Sequence, residues 1–98
     1  MPLAKKKLIT IITPESTEEE LVEALAKISR GLSVVDARGR GVHGERPNLW
    51  HSGNVQIETV VGAADVERIV AILDRFAADV PMVAWISDVE AWPATKFG

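Results

Sequence analysis

The apolar positions fall into blocks that change period along the chain. Lys7 to Thr13 is apolar and β-branched throughout its middle (Leu8, Ile9, Thr10, Ile11, Ile12) and is stopped by Pro14. This predicts a largely buried strand. Leu21, Ala24, Leu25 and Ile28 then recur at helical spacing. Thr17 and Glu20 have the spacing of a capping box, Glu18 to Glu20 suit a helix N-terminus, and Gly31 is placed to end the helix. A helix is predicted over Thr17 to Arg30. Leu32 to Ala37 reads as a second strand and Asn54 to Val61 as a third, broken by Gly62. Val66, Ile69, Val70, Leu73, Phe76 and Ala77 mark a second amphipathic helix over Asp65 to Ala78. After Pro81, Met82 to Ser87 reads as a fourth strand that continues toward Val89. Trp92 to Gly98 reads as a polar tail.

The order is β-α-β-β-α-β, an α+β, ferredoxin-like sandwich with both helices on one side of the sheet. The other side of such a sheet is polar in a monomer. Here the first strand is apolar on both parities, Leu8 and Ile12 on one and Ile9 and Ile11 on the other. The fourth strand sets Met82, Ala84 and Ile86 against Val83 and Trp85. Both sheet faces call for burial, which predicts an oligomer.

Between the second and third strands lies Arg38-Gly39-Arg40-Gly41-Val42-His43-Gly44-Glu45-Arg46-Pro47, within a connection that runs to Gly53. At roughly fifteen residues this is long for a compact domain, and such loops are functional or disordered. Its glycines permit close backbone approach to a ligand, and its arginines match phosphate or carboxylate. Successive N–H groups in a Gly-rich turn form an anion nest. The segment is not a Walker motif, since no Gly-Lys-Ser/Thr follows. It is not a dinucleotide fingerprint either, since a strand follows where a helix would be needed.

The 98 residues suffice for one domain, 1–98, and 47% apolar with 26% charged residues is ordinary for a globular protein. A net charge of −3 does not favour nucleic acid or an anionic membrane. The third strand has no aromatic residue for stacking bases, and Trp50, Trp85 and Trp92 lack stacking spacing, so no nucleic-acid partner is expected. The absence of cysteine excludes disulfides and thiolate chemistry. Three lysines precede the apolar run at Leu8, but that run is too short for a leader, and no membrane insertion is expected. The default location is cytoplasmic. His43, His51 and Glu45 match no metal-ligand spacing, and Ser52 beside His51 is not a catalytic pair. Asp36 and Glu58 stand near strand centres, where an unpaired charge is costly. No catalytic residue, no metal and no cofactor are assigned.

Gly31-Leu32-Ser33-Val34-Val35-Asp36-Ala37-Arg38-Gly39-Arg40-Gly41-Val42-His43 resembles the G-M-T-V-x-E-V-K-G-x-G-R-Q pattern of PII signalling proteins. Asn54-Val55-Gln56-Ile57-Glu58-Thr59-Val60-Val61 resembles their K-V-K-I-E-x-V-V strand. The resemblance covers most of the chain and implies a homotrimer that binds adenine nucleotide between subunits, with a T-loop at 39–53. It carries nucleotide contacts onto Ser33, Arg38, Gly39, Arg40, Gly41, Val42, Val60 and Lys96. The chain departs from the family in three ways. Its T-loop is short and lacks tyrosine, Asp79-Val80-Pro81-Met82 replaces the glycine-lysine B-loop, and Lys96 is the one basic residue of the tail. Fewer cations imply AMP or ADP rather than ATP. Within the family the chain is most similar to carboxysome-associated PII proteins, which implies bicarbonate binding at Arg40, His43 and Arg46, ordering of the T-loop, and a membrane bicarbonate transporter as partner. The alternatives are a trimeric metal-tolerance protein of similar fold using His43 and His51, or a small ferredoxin-like isomerase.

Overall fold

The computed structural model describes residues 2–37 and 53–97. Its strands are β1 (Ala4–Pro14), β2 (Leu32–Ala37), β3 (Asn54–Val61) and β4 (Val83–Ala91), and its helices are α1 (Glu18–Leu25) and α2 (Val66–Ala77). The four strands form one antiparallel sheet in the order β2-β3-β1-β4. This is the ferredoxin-like arrangement. None of the described helices is long and apolar enough to cross a membrane.

One face of the sheet carries the core. Val34, Ile57, Ile11 and Ala84 lie in a row across the four strands, and Leu32, Thr59, Ile9 and Ile86 form the next. Leu21 and Leu25 of α1 and Ile69 of α2 close over these rows, and the central side chains lose all contact with water. On the edge strand β4, Ile86 remains 45% exposed in the same row as the fully buried Ile9.

The opposite face carries no helix. Its rows are Ser33–Glu58–Thr10–Trp85 and Val35–Gln56–Ile12–Val83, with Leu8 beside Val60. Trp85 is 47% exposed and Val35 55% exposed. Glu58 is not orphaned: its carboxylate accepts a hydrogen bond from the Thr10 hydroxyl at 3.2 Å, straight across the β1–β3 pair. Asp36 is exposed on the edge strand β2.

Several boundaries differ from those the pattern predicts. β1 and β4 are both longer, because they pair along Ala4↔Ala91 to Ile12↔Val83. The polar residues Ser87, Asp88 and Glu90 hide that extension from a hydrophobic reading. The tail begins after Ala91, where the pattern puts it, and includes a 3-10 turn at Ala94–Lys96. α1 is shorter than Thr17 to Arg30 and ends at Leu25. The chain then tightens through turns, with Ile28 N–H and Ser29 N–H both donating to Leu25 C=O. The capping box does not form. Thr17 is already helical at φ −93° and makes no side-chain cap, because a 3-10 turn at Glu15–Thr17 leads into the helix. Gly31 is not a left-handed cap, since Gly53, at φ 62°, is the one described residue with positive φ.

Lys7 and Asp88 form a cross-strand ion pair at the β1–β4 edge. The hydrogen bond and charge of the Lys7 amine hold the Asp88 carboxyl below its ordinary range, with a smaller opposing effect of burial. The pair thus contributes above the ordinary carboxylate range and fades as pH falls through the lowered value. Asp88 is 84% exposed, so the contribution is small. Asp88→Asn should leave the melting temperature at neutral pH almost unchanged. It should also narrow the difference between melts at neutral and strongly acid pH. Ile57→Ala, which empties the centre of the core row, should cost about 2–5 kcal/mol. A lowered urea midpoint with an unchanged slope checks this.

Candidate functional site

A groove of about 730 Å³ opens where the starts of β1 and β2, the end of β3 and the C-terminal tail meet. Its lining comes from four separate pieces of chain. β1 supplies Lys6 and Leu8, and the α1–β2 turn supplies Ser29, Arg30 and Gly31. β2 adds Ser33, the end of β3 adds Glu58, Val60 and Gly62, and the tail adds Lys96 and Phe97. The tail is fixed against the start of the chain, with Ala94 N–H donating to Pro2 C=O at 3.3 Å.

The wall of the groove is set by three oxygens. The Thr59 hydroxyl lies 2.8 Å from Gly31 C=O and the Ser29 hydroxyl 3.1 Å from the same oxygen. The two hydroxyls also hydrogen-bond each other, and both side chains are buried. Each hydroxyl has one proton, so one donates to Gly31 C=O while the other donates to its neighbour. Every member of the triangle is satisfied, and the turn between α1 and β2 is tied to β3 from beneath.

Charge around the groove is mixed. Lys6, Arg30 and Lys96 are cationic, and Glu58 and Asp65 anionic. Both carboxylates have other partners, Glu58 in Thr10 and Asp65 in Arg68 at 3.3 Å. The three cations thus share the groove with two carboxylates, each of which has a partner of its own. Apolar Leu8, Val60 and Phe97 line the same space. A ligand with a flat apolar part and an anionic part fits this combination.

Of the residues expected from sequence, Ser33, Val60 and Lys96 are brought together on this groove. Arg38, Gly39, Arg40, Gly41, Val42, His43 and Arg46 lie outside the described residues, as do Glu45, His51 and Ser52. Among the described residues no three His, Cys, Asp or Glu side chains cluster as metal ligands. The sequence reading missed Lys6, Ser29, Arg30, Thr59, Asp65 and Phe97. Lys6 was legible only as one of three N-terminal lysines and Arg30 only as a helix-end charge. Alternation along β3 places Thr59 on the core side, yet nothing in the sequence pairs it with Ser29.

The chain matches the model of the family described as nitrogen regulatory protein P-II over residues 6–94. Comparison with the curated proteins finds no match. A PII-like signalling protein from Thermus thermophilus superposes with a TM-score of 0.82 at 28% identity, with 100% of each chain covered. CPII from Thiomonas intermedia, bound to ADP, AMP and bicarbonate, gives 0.80 at 20% identity over 97% of this chain and 95% of that one. The same protein bound to ADP, AMP and acetate gives 0.82 at 19% identity over 99% and 98%.

The hydroxyl triangle makes a specific prediction about coupling. Thr59→Val or Ser29→Ala alone leaves Gly31 C=O with the other hydroxyl, and each should cost about 1 kcal/mol. The double variant strands that carbonyl, so its loss of stability should exceed the sum of the two by about 1 kcal/mol or more. Urea unfolding of the four proteins in the cycle measures this.

Proposed function

The chain belongs to the nitrogen regulatory protein P-II family, and on that premise we propose that it is a trimeric, non-enzymatic sensor of AMP or ADP with bicarbonate as a second ligand. The observation that carries this reading is the convergence of Ser33, Val60 and Lys96 with Lys6 and Arg30 on one groove. Three residues picked out by resemblance, far apart in sequence, line one space with two further cations.

The helix-free face supports the trimer. Val35, Val83 and Trp85 lie exposed there, with Leu8 and Val60 half-buried beside them. An apolar surface of this breadth on a small domain calls for a cover, and further copies of the chain supply one. The groove opens at the end of that same face, so an assembly that covers the face brings a neighbouring copy toward the groove.

Two features favour AMP or ADP over ATP. Lys96 is the one basic residue of the tail, and no glycine-lysine loop precedes β4. The CPII structures bound to ADP and AMP, with bicarbonate in one case and acetate in the other, support both ligand classes. Bicarbonate and acetate share a planar pair of oxygens that a guanidinium fork matches. Arg40 and Arg46, with His43, are assigned to that anion. The T-loop at 39–53 is the surface through which binding is signalled to a partner, for which a bicarbonate transporter is the reading. The protein acts in the cytoplasm.

Calorimetry with AMP, ADP and ATP, with and without bicarbonate, tests the proposal. AMP or ADP should bind more tightly than ATP, and Lys96→Ala should weaken ADP more than AMP. No binding of any of the three would sink it. Light scattering should give three times the monomer mass, and a monodisperse monomer at micromolar concentration would remove the trimer. Arg40→Ala and Arg46→Ala should weaken bicarbonate binding while leaving the ligand-free melting temperature nearly unchanged. Saturating nucleotide and bicarbonate should change hydrogen exchange across 39–53.

A further inference from the structure

The strand register gives the three lysines at the start of β1 different neighbours. β1 is a central strand, paired with β4 on one side and β3 on the other. Across the β1–β4 pair, Lys5 stands opposite Glu90 and Lys7 opposite Asp88, with which Lys7 forms its ion pair. Lys6 stands opposite Val89. On the other side, Lys7 meets Val61 in the last β1–β3 pair, so the position beside Lys6 is Gly62. Alternation puts Lys5 and Lys7 on the helix side with Ile9 and Ile11, and Lys6 on the groove side with Leu8. Lys6 therefore has a branched apolar side chain on one flank and bare backbone on the other. Its amine lies 3.8 Å from where a Cβ on Gly62 would stand. Among the described residues the ion pairs are Lys7–Asp88 and Asp65–Arg68, and Lys6 is in neither.

The other two cations of the groove are held differently. Arg30 lies in the α1–β2 turn and Lys96 in the tail, and both are exposed. Lys6 is half-buried. A cation rooted in a strand with neighbours on both sides is positioned before a ligand arrives, so little ordering entropy is lost on binding. The two groove carboxylates have partners in Thr10 and Arg68. A half-buried ammonium without a counter-ion favours the arrival of an anion.

We propose that Lys6 is the residue of the groove that holds the phosphate of the bound nucleotide. This assignment rests on the nucleotide reading above and adds one residue to it. An ammonium offers three donors and no acceptor, which suits the oxygens of a phosphate. Lys5 and Lys7 carry the same charge one position away on the opposite side of the strand. Removing either changes the net charge as much as removing Lys6 does, without touching the groove. Contact and long-range attraction can therefore be told apart.

Lys6→Gln, Lys6→Arg, Lys5→Gln and Lys7→Gln, read by calorimetry with AMP at low and high salt beside ligand-free melts and light scattering, test this. Lys6→Gln should keep the wild-type oligomer and bind AMP about tenfold or more weakly. Its affinity should also depend less on salt than that of wild type. Lys6→Arg should recover most of the loss. Lys5→Gln and Lys7→Gln should stay within about threefold of wild type, because a charge on the far side of the strand is screened. Unchanged affinity in Lys6→Gln, where wild type binds, shows a solvated lysine and overturns the inference while the nucleotide reading stands. Equal losses in Lys6→Gln and Lys7→Gln show that overall charge acts in place of a contact, and overturn it as well. Loss of the oligomer in Lys6→Gln places the lysine in the assembly and also overturns it. If wild type does not bind AMP, the functional reading fails first and this inference falls with it.

Discussion

Two short helices cannot cover both sides of a four-stranded sheet, and the rest of the structure follows from that limit. α1 and α2 close over Ile9, Ile11, Val55 and Ile57 on the central strands and leave them dry. They leave Ile86 of β4 exposed, and no described helix covers the opposite face, although Thr10 and Ile12 at its centre are buried. The cost of exposing that face is reduced in the middle by polarity, where Thr10 and Glu58 satisfy each other across β1 and β3. At the edges it is not reduced, and Val35, Val83 and Trp85 stay in water. The fold carries a helix layer on one side and exposed apolar residues on the other.

The groove is a by-product of the same layering. Where the sheet ends, the turn after α1, the end of β3 and the C-terminal tail must pass one another, and they do not fill the space. Their polar groups are satisfied from within, through the Ser29–Thr59–Gly31 triangle and the Asp65–Arg68 pair. This leaves a wall that combines cationic, anionic and apolar groups. Ligand capacity therefore arises without any buried unsatisfied side-chain atom among the described residues. A shaped, pre-satisfied pocket loses little ordering entropy when a ligand arrives.

Hydrophobic periodicity determined the elements, their order and the two-faced character of the sheet. β2 and β3 fall where the pattern puts them, because each is bounded by glycine or by the polar connection between them. β1 and β4 extend past their apolar stretches, and α1 stops short of its own. A strand is held by its neighbour's backbone, so Ser87, Asp88 and Glu90 continue β4 beside Ala4 to Leu8 regardless of polarity. A capping box needs the N-cap residue outside the helix, and the 3-10 turn at Glu15–Thr17 removes that condition.

The site divides along the same line. Ser33, Val60 and Lys96 were legible because a family pattern runs along the chain and can be matched position by position. Lys6, Ser29, Arg30 and Thr59 were not, since their role comes from strands and turns meeting at one end of the sheet. Ser29 and Thr59 lie thirty positions apart and bond only because β2 pairs with β3. The sequence by itself determined which residues are apolar, where the chain turns and which family it resembles. Only the tertiary structure decided which face stays open and which cations share a groove. Periodicity encodes which way a side chain points within its own element, whereas a site is a set of distances between elements, fixed when the sheet is assembled.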